Sequence, residues 1–147
     1  YSDFELRLQA RTSREDANGG IQIRSHRIPN ESEVVGYQAD IGLLGGETPI
    51  NIWGALYDEA RRREMLAVAD QDELAKVIRL DDWNDYVIRA QGKHTGIWIN
   101  EYQTVDYTEA DPDIELTGII CLQIHAGPPA EIRYRNLEIR KPGGSGS

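Results

Sequence analysis

The sequence predicts an all-β fold, an antiparallel sandwich or jelly roll, and three observations predict it. Apolar and polar residues alternate over short runs along most of the chain. Gly, Asn, Asp or Pro turn signals separate those runs. Their spacing is that of an antiparallel sandwich or jelly roll. The 147 residues suffice for one domain with a core of its own. Residues 1–142 are expected to form a single jelly-roll domain. The closing "GGSGS", 143–147, is expected to be a flexible linker or fusion remnant.

Taken in order, "DFELRLQAR" sets Phe4, Leu6, Leu8 and Ala10 against Glu5, Arg7, Gln9 and Arg11, the pattern of a half-buried strand. "GIQIRS" puts Ile21 and Ile23 on one face and Gln22 and Arg24 on the other. "GYQADIG" repeats the theme with Tyr37, Ala39 and Ile41 opposed to Gln38 and Asp40. The stretch from Asp58 to Leu80 has helix formers, no Gly or Pro, and no sustained apolar period. It is expected to be a long loop containing short helical turns. "WNDYVIRAQG", "TGIWINEYQTVDYT", "TGIICLQIH" and "AEIRYRNLEIR" are further β-rich runs. In "GIICLQIHAGPP", Ile120, Leu122 and Ile124 are expected in the core, with Cys121, Gln123 and His125 opposite. "HAGPP" reads as a rigid turn, with Pro128 or Pro129 a candidate for a cis bond.

Charge excludes some partners. Sixteen basic against 25 acidic residues leave a net charge of -9, and the only basic run, Arg61 to Arg63, is bracketed by Asp58, Glu59 and Glu64. A nucleic-acid partner is therefore not expected. No apolar run approaches the roughly 18 residues of a membrane span, and no signal peptide is visible. "YSDFELRLQ" starts inside a strand pattern, so the chain is expected to be trimmed. Cys121, the single cysteine, is expected to be a small buried hydrophobe.

The polar faces carry the functional expectation. Gln22, Arg24, Gln38, Asp40, Gln123 and His125 lie on three runs, each opposite the core residues. If those runs are neighbours in one sheet, the side chains form one patch holding a cation, a carboxylate and an imidazole. Trp53 and Tyr57 of "NIWGALYD" add aromatic walls suited to a sugar ring. Trp83 and Trp98 are assigned to the core. Arg61 could reach a ligand, but an ion pair with Asp58 or Glu64 is the plainer expectation. His26 and His94 are taken as loop residues.

"NGGIQIRS", "GYQADIG", "WGALYDEARRREML", "WNDYVIRAQGKHTGIWINEYQTVDYTEAD" and "GIICLQIHAGPPAEIRYRNLEIR", in that order, resemble the 3-keto-disaccharide hydrolase family, a bacterial group with a concanavalin A-like jelly roll. The resemblance covers Tyr1 to Arg140. It implies an N-terminal segment, often like "LFNGKDLSGW", that this chain does not contain. Gln38 stands where the family often has glutamate, and Asp40 where glutamine is common.

The resemblance implies an activity. A sugar already oxidised at C3 loses its acidified C2 proton, the enolate expels the C1 substituent, and water adds back. His125 is the expected base, Asp40 its orienting partner or a base itself, and Arg24 the partner of the enolate oxygen. Gln22, Gln38 and Gln123 would bind hydroxyls, Trp53 and Tyr57 would pack on the ring, and Arg61 lies within reach. A keto-sugar or oligosaccharide is then the partner, an oxidoreductase would supply the ketone, and the location is periplasmic or extracellular. No cofactor and no metal ligands are expected from the motifs. The residues leave room for a weak divalent site, calcium or another ion, at Asp40, His125 and a neighbouring Gln or Glu. The rival reading is a non-catalytic carbohydrate-binding module of lectin-like fold, and a third is an interaction domain with its polar face covered.

Overall fold

The computed structural model describes residues 1–12, 18–44, 47, 49–124 and 131–141. His125, the "HAGPP" turn and the expected linker at 143–147 lie outside the described residues.

The described residues form eleven strands and one short helix: β1 (Phe4–Thr12), β2 (Asn18–Arg27), β3 (Val34–Leu44), β4 (Ile50–Asn51), β5 (Leu56–Glu59), β6 (Met65–Ala67), α1 (Gln71–Val77), β7 (Asn84–Gln91), β8 (His94–Ile99), β9 (Tyr102–Thr108), β10 (Ile119–Ile124) and β11 (Ile132–Arg140). They build two antiparallel sheets. The five-stranded sheet runs β11-β1-β7-β8-β9. The six-stranded sheet runs β10-β2-β3-β5-β6, with β4 paired to the far end of β3. Among the described residues no helix is long and apolar enough to cross a membrane.

Period-two patterning decides which side of each sheet is buried. Phe4, Leu6, Leu8 and Ala10 of β1, with Tyr86, Ile88 and Ala90 of β7 and Ile97 and Ile99 of β8, face Ile21, Ile23, Tyr37, Ala39, Ile41 and Leu56 of the other sheet. Each large side chain so buried stabilises the fold by about 1.5–3 kcal/mol relative to exposure. Polar ties join the layers. The Tyr86 hydroxyl donates to the Asp40 carbonyl at 2.9 Å, and that of Tyr37 donates to Glu109 at 2.5 Å.

Several expectations are corrected. The 58–80 stretch is not only a loop with a helical piece: its first residues turn tightly into β6, so that Met65 and Ala67 extend the sheet beyond β5. The helical turns are there as α1, capped by Asp70, whose carboxylate accepts from the amides of Asp72 and Glu73 at 3.0 Å each. Leu122 is 45% exposed, because β10 is an edge strand and only Ile120 of its apolar pair packs on the core. Cys121 is half-buried rather than buried. Trp83 and Trp98 are also half-buried, outside the core. Arg135 lies 4.0 Å over the Trp83 ring and Arg89 lies 5.0 Å over that of Trp98.

Candidate functional site

The sheet order places the three polar runs side by side, which meets the condition on which the patch depended. Cys121 pairs with Gln22, Gln22 with Gln38, and Gln38 with Tyr57, giving one row across β10, β2, β3 and β5. The next row holds Gln123, Gly20 and Asp40. On the other side, Gly36 pairs with Glu59. The outer face of the six-stranded sheet thus gathers Gln22, Gln38, Gln123, Asp40, Tyr57 and Glu59.

This is no ordinary wet sheet face. Gln22, Gln38 and Asp40 are each at most 3% exposed, so their polar atoms need partners within the protein or from a ligand. Gln22 Nε2 donates to the Val34 carbonyl at 2.7 Å. Gln38 Nε2 donates to Asp40 Oδ1 at 2.7 Å. Gly20 makes room for that contact, since a Cβ there would stand 2.6 Å from Gln38 Cγ and 2.7 Å from the Ala39 carbonyl oxygen. The acceptor ends are unmatched: Gln38 Oε1 and Gln123 Oε1 are buried and find no hydrogen-bond partner among the described residues. Two orphaned amide oxygens beside a carboxyl ask for a ligand that brings donors.

Burial raises the Asp40 carboxyl to about 8, and the negative charge of Glu59 adds to this against the opposing bond from Gln38. At neutral pH Asp40 therefore keeps its proton and can donate. Burial, with Glu59 again, also raises the Tyr57 hydroxyl, which is a second donor on the face. Glu59 was not among the expected site residues. Its signal was in the sequence, since it follows Tyr57 by two and so shares its side of β5.

Other expected residues lie elsewhere. Arg24 does not share the row with Gln22, because the register slips between Ile23 and His26 and Arg24 takes a left-handed backbone, φ 46°. Its guanidinium turns to the other sheet, donating to the Ser2 carbonyl at 2.7 and 2.9 Å, to the Gly92 carbonyl at 2.5 Å and to Asp3 at 3.2 Å. At 1% exposure it clamps one end of the sandwich and points away from the Asp40 face, where its contact with an enolate oxygen was expected. Trp53 is no ring platform: it is 3% exposed and packs 6.1 Å from Tyr86 in the core.

Arg61 follows the plainer expectation. It pairs with the fully buried Asp58 at 2.6 Å and lies 5.1 Å over the Tyr37 ring. Arg62 also pairs with Asp58 and reaches Glu109 at 2.6 and 3.0 Å. Burial would raise the Glu109 carboxyl, but the Arg62 and Tyr37 bonds hold it down at about 2. This buried cluster pins the turn after β5, and so Tyr57 and Glu59, to the end of β9.

Of the other histidines, His26 pairs with Glu115 at 2.5 Å and His94 with Asp106, both at the surface. Among the described residues no three His, Cys, Asp or Glu side chains stand close enough to hold a metal ion. The weak divalent site expected at Asp40 and His125 rests partly on a residue outside that set.

Comparison with known proteins agrees with the fold. The carbohydrate binding module CBM66 of Bacillus subtilis is 13% identical with a TM-score of 0.67, over 96% of this chain and 76% of that one. A candidate glycosyl hydrolase of Parabacteroides distasonis is 18% identical with a TM-score of 0.63, over 96% and 79%. A second candidate glycosyl hydrolase of that organism is 13% identical with a TM-score of 0.67, over 96% and 72%. No curated protein matches the chain. The profile of a family described as 3-keto-alpha-glucoside-1,2-lyase-like domain matches residues 1–140. With that match spanning nearly all of its length, this jelly-roll chain belongs to the 3-keto-alpha-glucoside-1,2-lyase-like domain family, and its function is a carbohydrate-related one.

Proposed function

We propose that the chain cleaves 3-keto-glycosides by elimination across C1 and C2, with Asp40 as the general acid. The observation that carries this reading is a buried carboxyl held protonated to about pH 8, next to two amide oxygens without partners among the described residues. A base removes the C2 proton and the electron pair moves to the C3 oxygen. The C1–O bond then breaks as C1=C2 forms, and the departing oxygen takes the Asp40 proton. Water can afterwards add to the unsaturated ketone. Gln38 and Gln123 accept from sugar hydroxyls, and the Tyr57 hydroxyl supports the enolate oxygen in the place first expected of Arg24. His125, two residues beyond Gln123 in the sequence, is the proposed base. An oxidoreductase would supply the ketone, and the proposed location is periplasmic or extracellular.

One observation favours the binding-module reading. With Arg24 turned away, the described face offers amides, a phenol, a neutral carboxyl and Glu59, which suit hydrogen bonding as well as catalysis. A chromogenic 3-keto-glucoside and its unoxidised parent, each with and without EDTA, separate the two readings. Release from the keto compound only, lost in Asp40→Asn and falling as pH rises through about 8, is the expected result. No release from either compound, with saturable sugar binding retained, would overturn catalysis and leave binding.

A further inference from the structure

The five-stranded sheet carries an open groove of about 520 Å³ on its outer face, within the range of small-molecule sites. Arg7 pairs with Val87 and Val87 with Trp98 across the ladder, so the small Val87 lies between an arginine and an indole. The indole leans toward Gly96, where a Cβ would stand 2.6 Å from its six-membered ring. A side chain at that position would push the ring out of place, so the glycine keeps the aromatic wall where it is. Unlike Trp53, this tryptophan is half-buried and borders open space.

The charges around the groove are matched among themselves. Glu5 accepts from Arg7 at 3.1 Å and from Arg89 at 2.7 Å, and Gln9 donates to Asp85 at 2.7 Å. An ionic ligand would have to compete with these pairs. A neutral polyhydroxylated ring would not: Arg89, held by Glu5, already lies 5.0 Å over the Trp98 ring, so a sugar would pack beside that guanidinium on the part of the indole that borders the groove and use donors that the pairs leave over, among them the Arg7 Nη groups.

We propose that the outer face of the five-stranded sheet is a second saccharide-binding surface, taking an uncharged oligosaccharide against Trp98. It is separate from the Asp40 face and does not rest on the proposed cleavage, so failure of the keto-glucoside assay would leave it standing. The test is a titration of uniformly ¹⁵N-labelled protein, followed at the indole and backbone signals, using cellotriose and maltotriose up to about 20 mM, in the range of weak single-ring contacts. The indole signal assigned to Trp98 by its loss in Trp98→Phe is expected to shift saturably with at least one of them, while that of Trp53 stays. Read through the Val87 amide, Trp98→Ala should weaken binding at least about tenfold. Val87→Arg, which keeps the indole and fills the groove, should do the same if Trp98→Ala fails to fold. No shift with either trisaccharide, undiminished binding in the folded variants, or equal binding of glucuronate would overturn the proposal.

Discussion

Replacing Asp40 with asparagine should make the protein more stable, and more so as the pH rises. The folded carboxyl ionises only near 8, against 3.8 for the free group. Between those values the unfolded chain has released a proton that the folded chain still holds, so stability falls with pH across the window. Asp40 therefore favours the fold below about pH 4, and that contribution is gone by about pH 8. The full shift of about 4 units corresponds to a ceiling of about 6 kcal/mol, and at pH 7 the unfolded-state ionisation alone gives about 4 kcal/mol. Asparagine keeps an oxygen for Gln38 Nε2 and cannot ionise. Allowing for relaxation around the site, Asp40→Asn should gain about 2 kcal/mol at pH 8 and close to nothing at pH 4. Urea unfolding of both proteins at the two pH values measures it. An equal effect at both, or a loss at pH 8, would refute the reading of Asp40 as a carboxyl held protonated by burial.

Other predictions follow from the same contacts. Glu109→Gln should cost about 2–4 kcal/mol at pH 7, because it leaves Arg62 short of a partner in a buried cluster. Glu109 contributes its stability above the free-group value of 4.5 and loses it as pH falls toward 2, so the variant and the parent should converge in acid denaturation curves. Arg24→Met should cost about 2–4 kcal/mol in urea unfolding, since the Ser2 and Gly92 carbonyls lose their donor. Lost turnover at unchanged stability would refute the reading of Arg24 as a structural clamp. Gly20→Ala should cost about 1–3 kcal/mol through its overlap with Gln38 and Ala39, and a crystal structure of it should show Gln38 moved off Asp40.

The alternation in "DFELRLQAR", "GIQI" and "GYQADIG" gave the core of three strands directly, because a half-buried strand has to repeat every two residues and a slip of one would expose Phe4 or Ile41. The neighbourhood of Gln22, Gln38, Asp40 and Gln123 followed from the same parity once the strands were adjacent. Parity fails where the chain leaves the regular ladder. The bulge after Ile23 resets the count and sends Arg24 to the other side of the sheet. The turn through Gly54, φ 71°, likewise separates Trp53 from the phase of β5. For Trp98 the alternation was sufficient, since Ile97 and Ile99 of the same strand are buried and Trp98 must oppose them. The size of the indole suggested a core role that its position contradicts. Nothing local to "YDEARR" could reveal that Arg62 meets Glu109, a partner 47 residues away.

The cluster of Asp58, Arg61, Arg62, Glu109 and Tyr37 sets an order of failure on heating. The penalty for keeping charges away from water shrinks as temperature rises, because their hydration becomes less favourable, whereas apolar burial gains little more. Heat therefore weakens the pairing that pins the turn after β5 less than it weakens contacts at the sheet margins. Tyr57 and Glu59 should hold their places beside Asp40 until the sandwich opens as a whole, while the exposed ends of β10 and β11 fray first.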